Sequence, residues 1–430
     1  MMAPPVVREL WEMEELVEEI LVRIPPEEPA VLVRASLACK PWCRLLSGNA
    51  FRNRYLTLHK TPPILGFLQS WEDHVERFVP TTNFCPQNPD RRESFVMDCR
   101  HGRVLLQCDW DEAEKKDEGE EGDMEEGDLD VGEEEGNLKM VVWDPVSGSR
   151  TKLRGPDMFD PDINGTSYWG TVLCALDGCN HAACNLGPFF VALITLDMQD
   201  EEDEIQDGNY TSHVWASIYS SETREWTSPT SIHIGGVGRF GASVVGRPSV
   251  LVGQALHLLL RRDPTASDIC ILKYDLGTDR LTVIDLPGMC VSSSNPLLIS
   301  ADDSGLGLVY LDQDMMCFIC SVEVSVDGVA SWTQLREIDL KTLVPIRKPM
   351  KLSSRKLVGC LEGTSIIIVV TDLGAFTIDL KSLRLRKLSS KPYKFTYLRD
   401  LFDNLFLYTS FNNPPAVAGA VAVAETKISK

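Results

Sequence analysis

The chain has few residues of the kind that carry catalysis. Seven histidines are scattered over 430 residues. Neither a His-Glu-x-x-His pair nor a Gly-x-Ser-x-Gly elbow occurs, which removes the signatures of zinc peptidases and serine hydrolases. The glycine-rich run from Gly235 to Gly241 is followed by no Lys-Ser/Thr pair and no helix pattern. It reads as a turn or a crossing between strands, because a phosphate cradle needs that lysine or a helix N-terminus behind it. Basic stripes are missing too, so phosphate-backbone binding to nucleic acid is not expected. No apolar run reaches the length of a membrane span; the longest near the end, residues 416–424, is short and built of small residues. The first residues show no basic stretch leading into an apolar core, so a secretory leader is not expected either.

Acidic charge is abundant but localised. The formal net charge is −21. Residues 111–135 hold fifteen acids and two lysines, and residues 197–207 hold seven acids and no base, so these two segments account for −13 and −7 of the total. The rest of the chain is close to neutral. Such runs bury no apolar surface and read as solvated inserts. Thirteen cysteines fall at irregular spacing, an odd number that argues against a disulfide framework and for reduced thiols. The expected compartment is therefore cytoplasm or nucleus, and the sequons at Asn164 and Asn209 are expected to stay unmodified.

What is present begins with a helical stretch, residues 12–59. Met13, Leu16, Val17, Ile20, Leu21 and Ile24 form one apolar stripe at helical spacing. Pro25-Pro26 ends that helix. Further short helices are expected over Pro29–Ala38, Pro41–Leu46 and Ala50–Leu58. A module of this size supplies at most about 3–5 kcal/mol of core stability, so it is expected to complete its core against something else.

The order E-L-V-x-E-I-L-x-R-I-P, L-V-R-A-S-L-A-C-K-P-W, R-L-L-S, F-R resembles the F-box. Leu16, Glu19, Ile20, Leu21, Arg23, Pro25, Leu32, Arg34, Cys39, Lys40, Trp42, Leu45 and Phe51 fall in step with that family. The resemblance implies docking onto a Skp-type adaptor, and through it a cullin, with Leu16, Ile20, Leu21, Ile24, Pro25, Leu32, Cys39 and Trp42 as the adaptor-binding residues. Three positions depart from the family pattern. Glu12-Met13 stand where a Leu-Pro pair is usual, and Cys43 stands where arginine is usual. A binding scaffold with a weakened F-box is the alternative these departures suggest.

From residue 60 onward the pattern is β-rich. A first strand is expected within residues 61–69, residues 72–93 read as irregular, and repeated strand–turn–strand phrases begin at Ser94. His101-Gly102, Asp144–Gly148, Glu222-Thr223 and Gly277–Asp279 mark turns. A second phrase sets a turn glycine before an apolar strand, as in residues 252–262, 301–314 and 356–370. This alternation resembles the blades of a kelch-like β-propeller. One blade cannot bury both its faces, so blades must stack around an axis. At about 40–50 residues per blade, six are favoured, and a two-sheet β-sandwich is the alternative. The expected architecture is α plus all-β: a loose lead (1–11), the F-box (12–59), a β-propeller-like target-binding domain (60–412) with two acidic inserts, and a flexible tail (413–430). The pairing of modules, and the stretch from Cys179 to Thr227 in particular, resembles F-box proteins abundant in grasses. There the β-rich half recruits a target protein.

Cys174, Cys179, His181 and Cys184 form one cysteine–histidine group. Their spacing, C-x4-C-x-H-x2-C, is within reach of one zinc ion in principle but does not match the paired patterns that mark zinc sites, and it reads as a blade-edge loop with buried thiols. Cys317-x2-Cys320 lies in a strand pattern that sends its two thiols to opposite faces, which suits packing and not redox chemistry. No metal, cofactor or catalytic residue is therefore expected. The chain reads as a binding protein, with a propeller oxidase or hydrolase as the competing class.

Overall fold

The computed structural model describes residues 14–26, 28–59, 62–69, 77–86, 94–108, 138–156, 167–179, 181, 184–185, 187–199, 210–237, 242–245, 248–262, 268–287, 296–300, 305–325, 329–345, 356–371, 373–389 and 405–411. Glu12, Met13, the acidic insert 111–135, most of the second insert, residues 238–241 of the glycine-rich run and the tail from 412 lie outside them.

Four helices open the structure: α1 (Glu14–Leu21), α2 (Pro29–Ala38), α3 (Lys40–Ser47) and α4 (Asn49–His59). The boundaries of α2, α3 and α4 lie within one residue of those expected, whereas α1 ends at Leu21, three residues before the end of its apolar stripe at Ile24. Proline starts α2 and α3, where its missing N–H costs nothing. Cys39, in extended backbone, separates them.

All else is strand. The first sheet takes β1 (Ile64–Gln69) and β2 (Arg77–Pro80). β2 falls inside the stretch expected to be irregular; its backbone pairs with β1 from Gly66↔Pro80 to Gln69↔Arg77. The second sheet is β3 (Ser94–Arg100), β4 (Arg103–Cys108), β5 (Lys139–Trp143) and β6 (Arg150–Arg154). The third is β7 (Ser167–Cys174), β8 (Phe189–Gln199), β9 (Tyr210–Ser220), β10 (Glu225–Trp226) and β11 (Thr230–Val237). β8 runs into the start of the second acidic segment, and β11 takes in Gly235 and Gly236. The fourth sheet is β12 (Ser243–Val244), β13 (Val250–Val252), β14 (Ala255–Arg261), β15 (Ile269–Asp275) and β16 (Arg280–Asp285). The fifth is β17 (Leu297–Ser300), β18 (Leu306–Leu311), β19 (Met316–Val324) and β20 (Ala330–Asp339). The sixth is β21 (Lys356–Cys360), β22 (Ile366–Thr371), β23 (Gly374–Asp379) and β24 (Leu385–Ser389). The last strand, β25 (Leu405–Thr409), returns to pair with β1, Phe67 opposite Leu407.

These sheets are the blades of a six-bladed β-propeller. The evidence is a closed ring. One edge of each sheet neighbours the same edge of the next, from β25 through β3, β7, β12 and β13, β17 and β21 back to β25. Six apolar layers fill the six gaps between neighbouring blades. Because each blade is covered on both faces, its strands read as continuous apolar runs; all six residues of β18, LGLVYL, are buried. Pairing β25 with β1 joins the two ends of the ring within one blade.

The repeated turn phrase has a shared geometry. Asp144, Ser220, Asp275 and Asp379 each use a side-chain oxygen to accept backbone N–H groups two or three residues on. The residue four positions later then takes left-handed backbone: Gly148, Arg224, Asp279 and Leu383. Each turn joins the third strand of its blade to the fourth. His101-Gly102 likewise forms a tight turn with φ of 53° and 75°.

Candidate binding surfaces

The helical module has a core of its own. Val17, Leu21, Val22, Leu32, Leu46, Phe51 and Tyr55 are buried together with Phe411, the residue two places after β25. Tyr55 meets Phe411 edge-on at 6.1 Å. The Tyr55 hydroxyl donates to the Ile24 carbonyl at 2.9 Å, and the His59 ring lies 2.8 Å from the Val22 carbonyl. Arg54 on α4 pairs with Glu18 and Glu19 on α1. The module is thus closed onto the strand that closes the propeller.

This core divides the apolar stripe of α1. Val17 and Leu21 point inward, while Leu16 and Ile20 remain 37% and 59% exposed. Of the eight residues expected to bind an adaptor, Leu21 (5% exposed) and Leu32 (2%) are core residues of the module. They cannot touch a partner without unfolding it, so their part is to hold the helices together. Leu16, Ile20, Pro25 and Cys39 are exposed, and Ile24 and Trp42 are half-buried against the core. Leu37 and Leu58, outside the expected set, are 79% and 53% exposed. The described residues contain nine exposed large apolar side chains, and four of them are in this short module.

The second surface is a cavity of about 400 Å³ lined from all six blades. At its wall the buried Arg100 guanidinium lies between two carboxylates, with Nε 3.7 Å from Asp98 and 3.3 Å from Glu362. Arg100 also donates to the Ser249 carbonyl and hydroxyl. Asp98 accepts the Val172 N–H at 3.0 Å. Burial pushes the Asp98 carboxyl up to about 6 even though Arg100 pulls it back down. His101 is driven far down by burial and the Arg100 charge, so its imidazole is neutral. Its ring stacks on His181 with centroids 3.9 Å apart.

This network was not legible in the sequence, since Asp98, Ser249 and Glu362 come from three blades. One signal was present: Asp98 and Arg100 alternate within an otherwise apolar strand, and charges at such positions are buried and paired. Cys317 and Cys320 do lie on opposite faces of β19, one in the layer between the fifth and sixth blades and one in the layer between the fourth and fifth. In the Cys174 group, one ligand atom from each of Cys174, Cys179, His181 and Cys184 lies within 4.8 Å of every other.

No family model matches the chain, and no curated protein matches it. Solved structures give distant matches. The fucose-specific lectin of Aleuria aurantia is 10% identical with a TM-score of 0.37, covering 76% of this chain and 92% of the lectin. The WD40 domain of SCAP from fission yeast is 13% identical with a TM-score of 0.34, covering 71% and 54%. Dipeptidyl peptidase 4 of Porphyromonas gingivalis is 12% identical with a TM-score of 0.31, covering 76% and 44%. This chain spans about half the length of the last two. At such scores the likeness carries no functional argument, and the propeller assignment rests on the closed ring of blades.

Proposed function

We propose that this chain is a substrate-receptor subunit of a Skp–cullin–F-box ubiquitin ligase, working in the cytoplasm or nucleus. The observation that carries the reading is the divided stripe of α1. A helix that resembles the F-box turns Val17 and Leu21 inward and leaves Leu16 and Ile20 bare. The adaptor contact set is Leu16, Ile20, Ile24, Pro25, Cys39 and Trp42, on a module held in shape by Leu21 and Leu32. The propeller presents the target-binding surface, and blade-connecting loops are where such surfaces are built. The mechanism is proximity: two binding events on one rigid chain raise the effective concentration of target near a ubiquitin-conjugating enzyme. No bond is made or broken by this chain.

The test is a binding measurement between the full chain and a purified Skp-type adaptor. Binding at micromolar concentration or tighter is expected, and Ile20→Asp abolishes it by setting a charge against an apolar partner face. An intact helical module with no binding at that concentration overturns the proposal.

A further inference from the structure

We propose that Cys174, Cys179, His181 and Cys184 hold one tetrahedral Zn²⁺ that staples the loop between β7 and β8 at the mouth of the central cavity. This inference is independent of the ligase reading.

Zn²⁺ with Zn–S of about 2.3 Å and Zn–N of about 2.0 Å sets its four ligand atoms about 3.5–3.8 Å apart. Cys184 Sγ and His181 Nδ1 are 3.8 Å apart, and no pair in the group exceeds 4.8 Å. Closing on an ion needs shifts of about 1 Å or less. Among the described residues this is the one cluster of at least three His, Cys, Asp or Glu side chains so placed.

Two of the sulfurs meet backbone donors. The Leu176 N–H donates to Cys174 Sγ, and the His181 N–H donates to Cys179 Sγ, both at 3.4 Å. Each is a backbone donor two residues beyond the sulfur it serves. Three thiolates, one neutral imidazole and Zn²⁺ sum to −1. The buried Arg103 cation lies beside them, donating to the Cys184 and Gly187 carbonyls. His181 takes left-handed backbone with φ of 56°, uncommon for a residue with a side chain. That bend brings its Nδ1 to the sulfurs, while stacking on His101 sets its ring plane. Cys270, Cys317 and Cys320, by contrast, sit in strands, with Cys317 and Cys320 on opposite faces of β19.

Donor type selects the metal. Three sulfurs and a nitrogen in a closed, four-coordinate set suit structural Zn²⁺, whereas iron–sulfur clusters use four cysteines as a rule. On binding, each thiol gives up its proton to solvent and each sulfur forms one bond to the ion. No redox step is involved. The consequence is positional. His181 and Asn185 both line the cavity, and Asn185 donates to the Asp144 carboxylate at 2.9 Å. The end of the loop near Asn185 is thus tied to the neighbouring blade by Asn185 and Arg103. The ion fixes the other end, Cys174 to His181, to the same point.

The experiment uses the full chain, reduced, exposed to equimolar Zn²⁺ and then desalted. Elemental analysis is expected to read about one zinc per chain, falling below about a tenth in Cys179→Ser and in His181→Ala. His181→Cys restores it by supplying a fourth sulfur. Cys179 is only half-buried, so its serine variant keeps the fold, and its unfolding midpoint should match that of chelator-treated wild type. Cobalt in place of zinc should give the strong visible absorption of a tetrahedral thiolate site, which an ion on the surface lacks. Wild type without zinc, zinc content unchanged in both loss variants, or a disulfide within the group in freshly purified reduced protein would each overturn the proposal.

Discussion

Two neighbouring residues on α1 are expected to fail in opposite ways. Ile20 is 59% exposed and Leu21 is 5% exposed. Fully burying an isoleucine side chain contributes about 1.5–3 kcal/mol. The part of Ile20 still open to water therefore has about 1–2 kcal/mol to give on docking, and Ile20→Ala should weaken adaptor binding about 5- to 30-fold. It should leave the module's stability unchanged. Leu21→Ala removes a core side chain, at about 2–5 kcal/mol. A module this small has only about 3–5 kcal/mol of core stability, so Leu21→Ala should melt it. Calorimetric titration against a Skp-type adaptor reads the first effect. Amide hydrogen exchange across residues 14–59 reads the second. If Ile20→Ala binds within twofold of wild type, or loses protection as fully as Leu21→Ala, the division of this helix into an inner and an outer face is wrong.

Three further outcomes follow from the fold. Deleting residues 405–411 removes Leu405, Phe406, Leu407, Tyr408 and Phe411 from the buried set; at about 1.5–3 kcal/mol each this matches a whole domain's stability of about 5–15 kcal/mol. Cooperative thermal unfolding should disappear, and a transition at the wild-type midpoint would show that the ring does not need its closing strand. Gly66→Ala would drive a methyl group into the Phe78 ring and to 2.7 Å from the Val79 carbonyl, costing about 1–3 kcal/mol, which a urea midpoint will show or deny. Asp98 and His257 should oppose each other in acid. Burial raises the Asp98 carboxyl from 3.8 to about 6, so the folded state takes up the extra proton and gains stability as pH falls from 6 towards 3.8. Burial, aided by the nearby Lys273 charge, lowers His257 from 6.5 to about 4, so stability is lost as pH falls through that window. Asp98→Asn should therefore fall relative to wild type by up to about 3 kcal/mol between pH 6 and 4, and His257→Leu should rise by a similar amount. Parallel urea midpoints for both variants across those pH values would contradict this.

Local patterns were legible in the chain, and they were legible for physical reasons. Proline positions and the apolar pattern set α2, α3 and α4 to within one residue and located α1, because helix ends and helix faces are decided by near neighbours. The turn phrases did the same for the blades: an Asp or Ser that accepts N–H groups two or three residues on, with left-handed backbone soon after, acts entirely within its own loop. Continuous apolar strands pointed to sheets covered on both faces, and blade length to six of them.

Contacts between distant segments were not legible. That β25 completes the first blade depends on where residues 70–404 lead the chain, and nothing in the two strands names the other. The stripe of α1 looked uniform until the fold turned Val17 and Leu21 in and Leu16 and Ile20 out; periodicity locates a helix face but not how much of it the chain itself will cover. Asp98, Ser249 and Glu362 meet only because three blades point their inner ends at one axis. The cysteine–histidine group shows the same limit. Its spacing matched no ligand pattern, yet the loop from β7 to β8 bends at His181 and is held by Arg103 of the neighbouring blade, and that long-range contact brings its three sulfurs and one imidazole together.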